Sequence, residues 1–281
     1  MLDGLSVQQL FKLQITQLGC PNLRVVNFGD VDPDWFMNVL MRDVVPHILT
    51  LYDLIYWREK TVLFLAFDDG GLLGYTLIFD GSHVHVRGDV SCVANLLSLV
   101  NLSEARLVFE SSHLSVVKRF YRPVGSLAPE GTGLLTRFLG MVVDRETFKR
   151  SITHEVRRLV ESDLEDVKSR FGERYWRIAL EALRTGFSYI AFHGRHPASI
   201  GSIHLVGDFA LIRGVYTIPE FRGLGLATSV CSALVEEALR LCKFCILWVD
   251  RDNFAARRVY EKLGFKLTGH VLLGFKGRRI R

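Results

Sequence analysis

Length, composition and charge describe an ordinary globular chain with room for two domains. It has 281 residues, of which 49% are hydrophobic and 23% charged, so it has enough apolar material for two buried cores. The net charge of +5 can favour an anionic ligand, but it is too small to indicate nucleic acid by itself. Four basic residues near the end, Lys276, Arg278, Arg279 and Arg281, are most simply a solvated tail.

The cysteines and the hydrophobic runs predict a reduced, cytoplasmic protein. Cys242 and Cys245 form a C-x-x-C pair, but no second pair or nearby histidine completes a zinc site. We therefore interpret both as buried structural thiols and predict no metal. The start of the chain lacks the basic and apolar segments of a signal peptide, and no run is long enough to cross a bilayer. We expect a monomer or a homodimer without membrane contact.

Two helical segments are predicted at the start of the chain. Apolar residues at helical spacing indicate an amphipathic helix within residues 1–20. The segment 34–56 also has a helical pattern. Pro46 should end or kink that helix after Val45, because proline has no N–H and clashes with the preceding turn.

A hairpin follows, and then strands and helices alternate. Residues 61–67 are a dense run of β-formers, and the turn at 68–71 leads back into a second run at 72–79. The further elements are a strand at 83–87, a helix at 90–100, a strand at 106–110, a helix at 114–121, a loop at 123–133, and a strand at 134–143 that we assign to the first half.

The second half repeats this order of elements. Its predicted elements are helical sequence over 162–183, strands at 188–192, 201–206 and 209–217, a helix at 227–241, a strand at 244–249 and a helix at 254–263. Three segments match in order between the halves: 65–67 with 190–192, 84–88 with 210–214, and 107–121 with 246–260. The simplest architecture is two copies of one α/β fold with a mixed sheet, over residues 1–147 and 148–281.

A glycine-rich turn between a strand and a helix in the second half carries the clearest chemistry. It reads Arg222-Gly223-Leu224-Gly225-Leu226-Ala227. The first N–H groups of a helix have no internal partner and carry partial positive charge, so a diphosphate can bind there if the backbone comes close enough. Gly223 and Gly225 remove the side chains that would prevent this approach, and Arg222 adds a positive charge. The spacing fits neither a Rossmann fingerprint nor a P-loop.

This turn resembles the coenzyme-A-binding turn of the GNAT acyltransferase superfamily. The family pattern of Gln or Arg, two residues, Gly, one residue, and Gly or Ala is met by Arg222, Gly225 and Ala227. A second segment that resembles the family follows at 253–265. The resemblance covers roughly Lys149 to the end of the chain, and the tandem arrangement is similar to that of glycine N-acyltransferase-like proteins.

The resemblance implies the ligand and its contacts. Acetyl-coenzyme A would be the cosubstrate, with its pantetheine arm in a splay between two strands. Tyr260 would protonate the leaving thiolate. The implied cofactor-binding residues are Val215, Tyr216, Thr217, Arg222, Gly223, Leu224, Gly225, Leu226, Ala227, Thr228 and Asn253.

The first half lacks the turn. Its corresponding segment, 89–97, contains no glycine and no arginine, and Leu114 corresponds to Asn253. Tyr121 remains opposite Tyr260. The first half therefore resembles a degenerate GNAT copy, which we expect not to bind coenzyme A.

The implied reaction is the transfer of an acetyl group to a primary amine by direct attack in a ternary complex. Glu220, His204 and Asp250 are candidates for the general base. An acyl-Cys231 intermediate is disfavoured, because no histidine is placed to activate the thiol. The acceptor is a small amine or amino acid, or a protein amine recruited by the first half. A third reading is a non-catalytic sensor of coenzyme A.

Overall fold

The computed structural model describes residues 23–128 and 133–280, so the helix predicted within residues 1–20 lies outside the described residues. The described helices are α1 (Pro33–Met41), α2 (Val44–Tyr56), α3 (Val90–Ser98), α4 (Leu114–Phe120), α5 (Leu164–Phe171), α6 (Glu173–Thr185), α7 (Leu226–Leu241) and α8 (Phe254–Lys262). The described strands are β1 (Arg24–Asn27), β2 (Thr61–Asp68), β3 (Gly71–Phe79), β4 (His83–Gly88), β5 (Glu104–Glu110), β6 (Tyr121–Gly125), β7 (Thr136–Asp144), β8 (Val156–Arg158), β9 (Gly186–His193), β10 (His196–Val206), β11 (Phe209–Thr217), β12 (Phe244–Asp250) and β13 (Lys266–Arg279).

The predicted α/β fold with a mixed sheet and two copies is confirmed. Helices α1 and α2, strands β2 to β4, α3, β5 and α4 recur in the same order as α5, α6, β9 to β11, α7, β12 and α8. The predicted hairpin is also confirmed, since β2 and β3 pair antiparallel up to Asp68 and Gly71. In both copies the third and fourth of these strands run parallel: β4 with β5, and β11 with β12.

The break between the first two helices lies before the position that was predicted from Pro46. The chain breaks at Arg42 and Asp43, and α2 begins at Val44. Pro46 therefore lies in the first turn of α2, where backbone N–H groups have no intrahelical partner and the loss of one costs little. The prediction that Pro46 would end a helix was wrong, because its position relative to the helix start decides its effect.

The last strands of the two halves are exchanged within one continuous sheet. Strand β7 pairs with β12 from Phe244↔Asp144 to Asp250↔Phe138, and β13 pairs with β5 from Leu272↔Glu110 to Arg278↔Glu104. The assignment of residues 134–143 to the first half was therefore wrong in its pairing, because this strand lies beside the centre of the second copy. Part of the predicted loop 123–133 forms β6, which pairs with the end of β13.

Helix α2 packs across the boundary between the two copies. Its buried residues Ile48 and Leu51 share one apolar cluster with Leu65 of β2 and with Leu211 and Ile246 of the second copy. The Tyr56 hydroxyl donates to the carbonyl of Leu205, at 2.8 Å. The exchanged strands and this helix fix the first copy against the sheet of the second.

Candidate functional site

Strands β11 and β12 splay apart at the site predicted for pantetheine. They pair only from Phe209↔Phe244 to Leu211↔Ile246. Beyond this point β12 continues beside β7, whereas β11 pairs only with β10. The backbone of residues 212–217 therefore borders a gap in the sheet, where an amide-bearing chain can add as a strand does.

A β-bulge in β11 changes the direction of the side chains of Val215 and Tyr216, which border this gap. The register shifts opposite Ile200–Ser202, and Gly214 adopts a φ of 64°. A methyl group on Gly214 would lie 2.9 Å from Ile178 of α6, so glycine is needed for both conformation and packing. Val215 packs with the cluster around α7, whereas Tyr216 stacks on Tyr175 with 4.4 Å between ring centroids.

The glycine turn leads into α7 without a side-chain cap. Gly223 and Gly225 have φ angles of 82° and 87°, and Gly225 is the N-cap residue. No side chain of the described residues caps this helix end, so the amides of its first turn remain available to an anion. The exposed Arg222 donates from Nε to the carbonyl of Thr217, at 3.2 Å, and this contact holds the turn against β11.

The other predicted cofactor contacts flank the turn. Leu226 and Thr228 are buried at the start of α7, Leu224 is 46% exposed, and Ala227 is half-buried. Asn253 is exposed as the N-cap of α8, and its Oδ1 accepts from the amide of Ala256 at 3.0 Å. Only the side-chain amide nitrogen of Asn253 is then left to donate to a ligand.

Tyr260 lies in the core beside α7, with 7% of its surface exposed. Its ring meets Phe265 edge to face, with 5.6 Å between centroids. Burial, with a smaller contribution from Cys231, raises the pKa of the Tyr260 phenol far above its usual range. The phenol is protonated at neutral pH with or without this shift, and the raised pKa makes it a weaker acid than an exposed tyrosine.

The three candidate bases have different environments. His204 has no exposed surface, its Nδ1 is 2.6 Å from the Thr185 hydroxyl, and burial lowers its pKa to about 2. This imidazole is a packing group. Asp250 is half-buried at the end of β12 and accepts from the amide of Asp252, whereas Glu220 is exposed beside the turn.

The four cysteines within residues 23–128 and 133–280 are buried thiols. Burial raises the pKa of Cys231 to about 12, so it is not an activated nucleophile. Cys242 and Cys245 are also buried and free. Within residues 23–128 and 133–280, no group of three or more histidine, cysteine, aspartate or glutamate side chains could hold a metal ion.

Sequence reasoning did not identify the residues on the other face of the splay. Leu211 and Ile246 are paired and both face α2, so Arg213 and Trp248, two positions further along, border the gap on that face. The Arg213 guanidinium lies 3.5 Å from Glu181 of α6 and 5.2 Å from the ring centroid of Tyr52 in α2. The constant Arg-Gly spacing in 84–88 and 210–214 was the available signal for Arg213.

The splay, the glycine turn and α7 all lie within the part of the chain that matches a known family. The sequence profile of the acetyltransferase (GNAT) family matches residues 153–265.

The chain is similar to one curated relative and to many solved structures. It is 28% identical over 116 residues to the uncharacterised N-acetyltransferase YdfB of Bacillus subtilis, over 39% of this chain and 42% of the relative, so the match spans less than half of that protein. A Drosophila melanogaster protein of known structure has a TM-score of 0.65 at 15% identity, over 91% of this chain and 98% of that one. A tandem GNAT protein from the clavulanic acid biosynthesis pathway has a TM-score of 0.58 at 13% identity, over 92% and 98%. These two structures share the fold of both halves.

No described helix has both the length and the apolar character that a membrane span requires.

Proposed function

We propose that the protein is an N-acetyltransferase that moves the acetyl group of acetyl-coenzyme A to a primary amine. The observation that carries this proposal is the uncapped start of α7 at Gly225, directly beside the gap between β11 and β12. One ligand with a diphosphate and an amide-bearing arm fits both features. The family match over residues 153–265 supports the same ligand.

The reaction is direct transfer. The neutral amine nitrogen attacks the thioester carbonyl carbon, the carbon–sulfur bond breaks, and the amide forms. The Tyr260 hydroxyl gives its proton to the departing thiolate. Glu220 and Asp250 remain candidates for taking the proton from the amine, because neither is enclosed as His204 is.

The acceptor approaches on the α2 face of the gap. Arg213, Glu181 and Tyr52 lie together there, and Tyr52 belongs to the first copy. The first copy therefore contributes to the surroundings of the acceptor without binding coenzyme A itself. Small amines, amino acids and a protein amine are all compatible with this arrangement.

Calorimetry and a thiol-release assay test the proposal. Titration with acetyl-coenzyme A should give one site per chain, and free thiol should appear with at least one member of a panel of polyamines, amino acids and lysine peptides. Two equivalent sites, or no binding, would contradict the proposed site. Tight binding without turnover of any amine would favour the sensor.

A further inference from the structure

The segment that connects the two copies runs antiparallel along one face of α7. Residues Gly225, Ser229, Ser232 and Glu236 recur at helical spacing and lie on one stripe of this helix. The amide of Thr153 donates to the Ser229 hydroxyl at 3.1 Å, and the amide of Ser151 donates to the Ser232 hydroxyl at 2.9 Å. Arg150 pairs with Glu236 at 2.9 Å.

This connecting segment places His154 at the start of the helix. A methyl group on Gly225 would lie 3.5 Å from Cε1 of His154 and 3.9 Å from the Thr153 hydroxyl. The ring is held from one side, since its Nδ1 is 3.0 Å from the Thr153 hydroxyl and 3.4 Å from the Ser229 hydroxyl. His154 is half-buried, and its Nε2 has no hydrogen-bond partner among residues 23–128 and 133–280.

We propose that His154 is a further cofactor-binding residue, whose Nε2–H donates to the diphosphate of coenzyme A at the glycine turn. This inference rests on the proposed function. When Nδ1 accepts from the Thr153 hydroxyl, the ring carries its hydrogen on Nε2, the atom left for a ligand. The connecting segment and the glycine turn then form two sides of one diphosphate site.

The carboxylates nearest to His154 on α7 are paired with arginines and lie away from the glycine turn, so they do not repel an anion bound there. An open cavity of about 410 Å³ lies beside His154. Its charged and titratable lining residues are Arg150 and Glu155 on the connecting segment, Tyr189 on β9, and Glu236, Glu237 and Arg240 on α7. Glu236 is paired with Arg150, and Glu237 with Arg158 at 2.8 Å. Glu236 and Glu237 are eleven and twelve residues along the helix from Gly225, which places them about three turns away from the glycine turn.

Titration of the full chain with coenzyme A and with dephospho-coenzyme A, which keeps the diphosphate but lacks the 3′-phosphate, tests this assignment. His154→Ala should weaken both ligands by about 10-fold or more, the effect of a lost hydrogen bond to a charged group. Arg150→Ala is the matched control, since it removes a basic side chain from the same segment about three turns away, and should leave both affinities unchanged. His154→Gln, whose amide nitrogen can take the position of Nε2, should lose less than His154→Ala.

Comparing the wild-type protein with the His154→Ala variant distinguishes a failure of this inference from a failure of the proposed function. Wild-type protein that binds neither ligand would contradict both. Wild-type binding with an unchanged His154→Ala variant would overturn the role of His154 alone, and a loss confined to coenzyme A would move the contact to the 3′-phosphate. Ser229→Ala keeps the histidine but removes a hydroxyl that holds it, so a smaller loss for both ligands is expected. Thermal melting of each variant identifies any loss of folding.

Discussion

The two copies of the fold contain the same strand splay, and only one of them is open. In the first copy, β4 and β5 pair from His83↔Arg106 to Val86↔Phe109 and then diverge. Arg87 fills the divergence, since its Nη1 donates to the carbonyls of Val86 and Val108, both at 2.9 Å. In the second copy, the corresponding Arg213 contacts Glu181 and Tyr52, in α6 and α2, instead of bridging β11 and β12.

The helix that follows each splay shows the same contrast. The start of α3 is capped by Asp89, whose carboxylate accepts from the amide of Ser91 at 2.8 Å. Hydrogen bonds from the Ser91 hydroxyl and, to a smaller extent, from this amide lower the pKa of the Asp89 carboxyl. The start of α7 has Gly225 in that position and no side-chain cap. An anion at the first helix would meet a carboxylate already in place, whereas the second helix offers free amides. The first copy thus uses its own side chains, Arg87 and Asp89, at the two positions where we propose that the second copy binds coenzyme A.

The first prediction concerns a substitution in the glycine turn itself. Gly225→Glu should weaken coenzyme A binding by at least about 100-fold, because its carboxylate would repel the diphosphate and occupy the helix end. Gly194→Glu is the matched control, since Gly194 also has a positive φ, of 59°, and also lies on a surface turn. Calorimetric titration of both variants measures the difference, and equal affinities would mean that the glycine turn is not the diphosphate site.

The next comparison concerns the two corresponding tyrosines. Tyr260→Phe should keep the fold and the affinity for coenzyme A but slow acetyl transfer by about 10²–10⁴-fold, the range for a lost general acid. Tyr121 donates to the carbonyl of Leu102 at 3.0 Å, so Tyr121→Phe should cost stability, by about 1 kcal/mol, and leave the turnover rate unchanged. Thiol release at saturating substrate, together with thermal melting, distinguishes the two roles. An unchanged rate in Tyr260→Phe would remove the phenol from the mechanism.

Local sequence signals predicted most of the elements and the glycine turn, but not β13 or the partners of the exchanged strands. The interpretation of Lys276, Arg278 and Arg279 as a solvated tail was wrong, because these residues lie in β13 and pair with β5 and β6. The hairpin at 61–79 and the start of α7 depend on turn residues next to one another in the chain. Strand β7 is an apolar run that fits beside either copy, and β13 is apolar only near its centre. Their exchange depends on pairing between segments more than a hundred residues apart in the chain.

His154 shows the same limit within the candidate site. The segment around it carries no motif, and its position depends on hydrogen bonds to Ser229 and Ser232, which lie far along the chain. The contacts Arg222, Gly223 and Gly225, by contrast, could be proposed from the sequence because they lie next to one another in a single turn.

The last comparison concerns the two corresponding arginines, and the expected difference is in stability instead of ligand binding. Arg87 has no exposed surface and also donates from Nε to the carbonyl of Pro46 at 2.9 Å. Arg87→Met keeps much of the volume but removes three buried hydrogen bonds from a charged group to backbone carbonyls, which should lower the free energy of unfolding by about 2–4 kcal/mol.

Arg213→Met is the matched control, because this side chain is 32% exposed and its ion pair is 3.5 Å long. We expect it to cost less than about 1 kcal/mol. Urea denaturation of both variants measures the loss in free energy of unfolding. Equal losses for Arg87→Met and Arg213→Met would contradict a structural role that is confined to Arg87.

Calorimetry on Arg87→Met should still give one coenzyme A site per chain, because Asp89 continues to cap α3. A second site in that variant would mean that Arg87 alone, rather than the arginine together with the capped helix, closes the first copy.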